Sequence, residues 1–368
     1  MTQEKYKIVV MGGVGNIGKA VIDLISHSTT LTPKPLGDVE VWSVDATTRI
    51  QERHLVLDVK QESEEVLVEL FEKLEARFVI NAMPFFLNSK IAGAAAKAGA
   101  GYLDFTEDDE QAARVYDIYK SYPQLTCAPK CGLAPGFINY LGMAVAKSFD
   151  SVDELNIRVG ALPRNIRSVK DGKDGTYALS WSVDGLVNEY IRPCQVKKDG
   201  VIATIQPLKQ SETLVLDGVT YEARTTSGGV GSLIHDLPQI PNINYKTIRY
   251  PGHYDFVQKI LDSEWADFDT IKKRFLEEYP YTKDDVIVVY AEALGFRNNR
   301  NEIESFTARY LPGFLNLTGI QLTTACGLLA VLELIVQQNI KGPVYHKTIS
   351  LVDFMDTAFY AMGYRTEK

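Results

Sequence analysis

The segment Gly13-Val14-Gly15-Asn16-Ile17-Gly18 directly follows an apolar run at residues 7–11 (KIVVM) and leads straight into a helical pattern reaching about residue 27. A strand that ends in a G-x-G-x-x-G bend and resumes as a helix has few architectures open to it. The spacing gives each glycine a task. Gly13 permits the tight turn, Gly15 lets the backbone approach a diphosphate, and Gly18 lets helix and strand pack closely. The amides of Asn16 and Ile17, at the helix start, then point at an anion. The expectation is a Rossmann-type unit that binds a dinucleotide.

The following hundred residues repeat the same grammar. Apolar runs at 39–44 (VEVWSV), 78–82 (FVINA), 101–105 (GYLDF) and 125–128 (LTCA) alternate with helical patterns near 62–75, 89–100 and 109–121. Strands separated by helices imply right-handed crossovers and a doubly wound, mainly parallel sheet. After about Pro135 the pattern changes. Asp-Gly pairs at 199–200 and 217–218 sit inside β-rich stretches at 195–206 and 213–226, so both read as hairpins. Residues 285–293 and 303–310 add strand candidates. This predicts a second α+β domain with a mainly antiparallel sheet. A closing helical segment at 318–338 carries Gly319, Ala325, Gly327 and Ala330, small enough for close packing on the first domain. The expected division is 1–133 with 318–368, and 134–317.

Composition narrows the function. With 39 basic against 47 acidic side chains the net charge is −8, and no basic stripe suggests nucleic acid as a partner. The four cysteines, at 127, 131, 194 and 326, lack the second pair or histidine pair of a zinc site, and their scatter suits a reducing cytoplasm. The start, MTQEKYKIVVMGG, has too short an apolar stretch for a signal peptide. The late apolar run 328–336 contains Glu333 and reads as too short for a bilayer. A cytoplasmic protein without membrane or metal partners is expected.

Asp45 ends the second apolar run, 27 positions beyond Gly18, the excess spacing being taken up by the proline-broken loop 29–38. A carboxylate there accepts from ribose hydroxyls and repels a 2′-phosphate, which favours NAD, while Arg49 keeps NADP open. Asp58, at the end of the next run, is a candidate adenine neighbour. Ala82, Met83 and Pro84, with Phe86 beyond them, follow another strand, as do Asp104 and the segment 131–136. Ligands of open α/β sheets lie outside the carboxyl ends of the strands, so these positions are expected on the nicotinamide side.

From these residues the sequence resembles the saccharopine dehydrogenase family, which includes L-lysine 6-dehydrogenases, saccharopine reductases and carboxynorspermidine synthases. The matching pieces are GGVGNIG, NAMPFF, GYLDFTED, CGLAPGFINYLG, SWSVDGLVNEYIRPC, TSGGVGSL and KTIRYPGH, in order along nearly the whole chain. The WS-x-x-G-L-x-x-EY-x-x-P and TSGG pieces, and the chain length, lean toward the lysine 6-dehydrogenase branch. The resemblance implies hydride transfer at a carbon–nitrogen bond, commonly in a homodimer. An amino-acid substrate brings a carboxylate, for which Arg224 and Arg249 are candidate partners. His253, Asp104 and Cys131 are candidates for proton handling, and Phe86, Trp181 and Ser182 for the substrate wall. Saccharopine- or polyamine-type imine reduction is the alternative chemistry, and an NAD(H)-sensing protein without turnover the alternative class.

Overall fold

The computed structural model describes residues 5–48, 52–165, 176–263 and 267–366. Arg49 lies outside the described residues. The chain divides into two units, Met1–Phe137 with Gln321–Tyr364, and Ile138–Ile320 with Arg365–Lys368. The seams fall in the first turns of two helices, Phe137–Ala146 and Gly319–Gln338, a few residues beyond the changes of pattern at 133 and 318.

The first unit is built on β1 (Tyr6–Met11), β2 (Val39–Asp45), β3 (His54–Val56), β4 (Ala76–Asn81), β5 (Gly101–Asp104) and β6 (Thr126–Ala128). They lie side by side as β3-β2-β1-β4-β5-β6, every pair parallel, with Gly342–Pro343 added beyond β6. That is the doubly wound nucleotide-binding order, and its reversal point lies between β1 and β4. Burial on both faces explains why these strands read as continuous apolar runs. Val9, Met11, Val44, Val79 and Tyr102 share one core with Ile91, Ala92 and Ala95 of the helix Asn88–Lys97. Alanine and glycine on that helix let it lie close to the sheet. Two crossover helices start on polar caps. Ser63 accepts from the Val66 amide and Asp108 from the Gln111 amide.

The helix Gly319–Gln338 falls on the helical segment expected at 318–338, but its apolar stretch is longer than the run 328–336. At 20 residues it is long and apolar enough to cross a membrane, so length no longer speaks against a span. Its burial does: 78% of the apolar stretch is covered, as in a core helix. Gly327 shows how tightly it packs, since an added Cβ there would lie 2.5 Å from the Gly132 carbonyl oxygen.

The second unit holds β7 (Ser151–Pro163), β8 (Cys194–Lys198), β9 (Val201–Ile205), β10 (Ser211–Leu216), β11 (Val219–Thr225), β12 (Asn242–Arg249), β13 (Asp285–Arg297) and β14 (Arg300–Tyr310). The sheet runs β10-β11-β12-β7-β13-β14, and β8 joins β12 to β9. Among the described strands of this sheet, β7 and β12 are the one parallel pair. Both Asp-Gly pairs turn hairpins with positive φ at each residue, as the type I′ turn demands. A third hairpin, β13 to β14, turns at Asn298-Asn299 with φ of 52° and 61°.

Candidate functional site

The glycine bend sits at the carboxyl end of β1, next to the reversal point. Its positive φ, 78°, falls on Gly12 rather than on Gly13, so Gly12 makes the tight turn expected of its neighbour. Gly13 is held glycine for another reason: a Cβ would come within 2.3 Å of Ser43 Oγ on β2. Gly18 has the packing role the spacing predicts, since a Cβ there would meet the Gly12 carbonyl oxygen at 2.1 Å. Gly15 is exposed and occupies the N-cap of the helix Asn16–Ser28, where it offers no side chain to the helix amides. The amides at the start of that helix therefore have no side-chain cap and carry a partial positive charge, suited to a diphosphate.

Asp45 is half-buried beside this bend. Its Oδ2 accepts the Val14 amide at 3.1 Å and its Oδ1 accepts the Thr47 amide at 3.1 Å. The carboxylate thus fastens the bend to β2 and keeps lone pairs for ribose hydroxyls. Asp58 is exposed and accepts the Lys60 amide at 3.1 Å, closing its own turn. Ala82 and Met83 touch the bend directly, because a Cβ on Gly12 would lie 3.0 Å from the Ala82 oxygen and 3.1 Å from Met83 Cγ. Pro84 opens the short helical turn Phe85–Leu87. Phe86 is 50% exposed, stacks edge-on with Phe85, and has Lys60 Nζ 5.5 Å above its ring. These residues fit a dinucleotide laid along the carboxyl edge of the sheet.

Two proton-transfer candidates of this unit take another role. Asp104 is only 1% exposed, and its carboxylate already accepts from Asn88, Tyr102, Thr106 and Lys130. Burial raises its pKa, against the pull of those hydrogen bonds. A group so enclosed cannot serve as counter-charge to a substrate amine. Cys131 is 2% exposed, its Sγ donates to the Ala128 carbonyl at 3.0 Å, and burial holds its thiol protonated. It is a packing residue. All four cysteines are free and buried, and among the described residues no trio of His, Cys, Asp or Glu is placed to hold a metal.

In the second unit the three family-like segments meet in one buried cluster. Glu189, on the helix Val183–Ile191, pairs through Oε2 with Arg249 at 2.9 Å. Its Oε1 accepts from Thr226 at 3.4 Å and from Thr247. Arg249 also donates to the Tyr190 hydroxyl at 2.8 Å and to the Ile248 carbonyl. Arginine only donates, so that hydroxyl is free to donate onward to His253 Nε2, 2.9 Å away. Arg249 and His253 are 1% and 0% exposed. Arg249 is the candidate for a substrate carboxylate and His253 the candidate for proton handling, and both are committed to holding the EY helix, the TSGG turn and the end of β12 together. Glu189, the acid that completes the cluster, was not singled out by sequence. Its position one residue before Tyr190 in the EY pair was the available signal.

The remaining candidates are more open. Arg224 stands on β11 with its guanidinium 5.3 Å from the Tyr254 ring and an ion pair to exposed Asp255 at 2.8 Å. Trp181 is half-buried, donates to the Tyr177 hydroxyl at 2.9 Å and packs on Gly185, whose Cβ would meet its ring at 2.6 Å. Ser182 caps its helix, accepting the Gly185 amide at 3.3 Å.

A parallel sheet in this order, with a glycine bend, a helix start without a side-chain cap and an acid at the end of β2, defines an NAD(P)-binding oxidoreductase fold. The saccharopine dehydrogenase NADP binding domain matches residues 8–128, and the saccharopine dehydrogenase C-terminal domain matches residues 132–350. The chain belongs to the saccharopine dehydrogenase family, a family of NAD(P)-dependent dehydrogenases. Its fold is similar to that of the apo, histidine-tagged saccharopine dehydrogenase (L-Glu forming) from Saccharomyces cerevisiae, with a TM-score of 0.76 at 14% identity over 98% of this chain and 99% of that one. It is also similar to the homospermidine synthase of Legionella pneumophila, solved in complex with NAD, with a TM-score of 0.68 at 10% identity over 99% and 92% of the two chains.

Proposed function

We propose that the protein oxidises a CH–NH2 centre of an amino acid with NAD as hydride acceptor, in the manner of a lysine 6-dehydrogenase. The observation that carries the coenzyme half is the glycine bend, exposed at Gly15 and tied to β2 through Asp45. When bound, the nicotinamide ring accepts the hydride. The chain's own residues orient and bind. The helix start at Asn16–Ser28 holds the diphosphate, Asp45 accepts from the ribose, and residues 82–84 border the nicotinamide half. Asp45 also favours NAD over NADP by repelling a 2′-phosphate.

Arg224 supports the choice of substrate. Of the two candidate guanidiniums, Arg249 is buried and used internally by Glu189, whereas Arg224 meets the exposed carboxylate of Asp255, which leaves one accessible fork for one carboxylate. Lysine carries a single carboxylate, whereas saccharopine carries more than one. The reaction removes a hydride and a proton from the ε carbon and nitrogen, and water then hydrolyses the imine to a carbonyl and ammonia. The same reading takes the chain to be a cytoplasmic homodimer whose partner is a small amino acid, on the strength of its few, scattered cysteines and family resemblance. The test is to mix protein with NAD or NADP and lysine, saccharopine or a carboxylated polyamine, and follow reduced coenzyme and released ammonia. Lysine with NAD should give both products. Reduced coenzyme with saccharopine or polyamine alone would overturn the substrate, and none with any of them would leave a coenzyme-sensing protein.

A further inference from the structure

A buried, hydrogen-bonded polar network of the first unit adjoins the residues assigned to the nicotinamide side. Asp104 ends β5. Its Oδ1 accepts the backbone amides of Thr106 at 2.9 Å and Lys130 at 3.1 Å. Its Oδ2 accepts from Asn88 Nδ2 and from the Tyr102 hydroxyl, each at 2.9 Å. Asn81, at the end of β4, closes a ring: its Nδ2 donates to Asn88 Oδ1 at 2.9 Å and to the Tyr102 hydroxyl at 3.0 Å. The oxygen of the same amide accepts the Met83 N–H at 3.0 Å. All four side chains are buried.

Four donors converge on one carboxylate, which has about four acceptor positions to give. An amide in its place would set NH2 against NH2 or against a backbone N–H. The ring therefore has one polarity, fixed by the acid. Its outlet is the Met83 amide, and residues 82 and 83 rest on Gly12 of the glycine bend. The Ala82 amide, donating to the Met11 carbonyl at 2.9 Å, ties the preceding peptide to β1.

We propose that Asp104 is a positioning residue, which through Asn88, Tyr102 and Asn81 sets residues 82–84 against the glycine bend and so fixes the nicotinamide half of the coenzyme. The proposal rests on the coenzyme reading above. It gives this buried acid a task in binding without contact to any ligand. ADP-ribose keeps the diphosphate and both sugars but lacks nicotinamide, so it uses the bend and not the loop. The two ligands separate this role from a general structural one.

The experiment titrates NADH and ADP-ribose into the full-length protein and into Asp104→Asn and Tyr102→Phe. NADH affinity should fall by about tenfold in Asp104→Asn, the cost of one mismatched buried hydrogen-bond set, with ADP-ribose affinity unchanged. Tyr102→Phe keeps the ring shape and should show the same selective loss to a smaller degree. It decides the matter should Asp104→Asn fail to fold. Equal losses for both ligands, or none for either, would overturn the proposal. A wild-type protein that binds neither ligand would instead remove the coenzyme reading, and this proposal with it.

Discussion

The two units use family-like segments in opposite ways. In the first, the glycine bend leaves backbone amides at a surface with Gly15 exposed and no side chain capping the helix amides. In the second, Glu189, Arg249, Tyr190 and His253 satisfy one another in the interior. One arrangement is open to a ligand and the other is closed on itself. Chemistry-bearing residue types are thus no guide to chemistry until their partners are known. A buried, paired arginine locks three segments together, while glycines with no functional groups of their own form the proposed binding surface.

The largest effect that would sharpen this contrast is on stability. Arg249→Met strands Glu189 in the interior and should cost about 3–5 kcal/mol in denaturant unfolding. Coenzyme affinity of the folded protein should stay the same. Replacing both partners, Glu189→Met with Arg249→Met, should recover much of the loss, because no uncompensated charge remains. An Arg249→Met protein of normal stability that fails to bind substrate would reverse the assignment and return Arg249 to the substrate site.

Gly18→Val acts on the open side. Its Cβ would overlap the Gly12 carbonyl, so the bend must move. A displacement on the order of 1 Å at a binding bend should weaken NADH by about a hundredfold in a fluorescence titration. Retained affinity would show that the bend does not hold the coenzyme. Asp45→Ala should do less. Losing a charged acceptor for ribose should shift the ratio of NAD to NADP affinity by about tenfold toward NADP. An unaltered ratio would leave Asp45 with only its bonds to Val14 and Thr47.

Much of the first unit was legible because its strands are buried on both faces and its crossovers are regular. The second unit was legible where turn chemistry speaks, at the two Asp-Gly hairpins. Its central strands, β7 and β12, escaped notice for a physical reason. Tyr245, Thr247 and Arg249 alternate along β12 with Asn244 and Lys246, so both faces carry polar groups and no apolar stripe stands out. Those groups are satisfied across the sheet: Arg158 of β7 pairs with Glu212, which also accepts Lys246 at 2.5 Å. The Asn298-Asn299 turn was missed because neither position is glycine. Within the site, neither Gly12 nor Asn88 stands out in the sequence, while Asp104, Cys131 and His253 read as proton carriers and Arg249 as a carboxylate partner. Residue type was visible in each case. Burial was not, since it depends on neighbours such as Glu189 and Tyr102 that lie far away in sequence.

Amide hydrogen exchange with and without saturating coenzyme confronts both halves of the comparison at once. Residues 12–18 should gain strong protection when NADH binds, while the already closed segments around Glu189 and Arg249 exchange slowly in either state. Unchanged exchange across residues 12–18 in a protein saturated with NADH would mean that the coenzyme is held elsewhere.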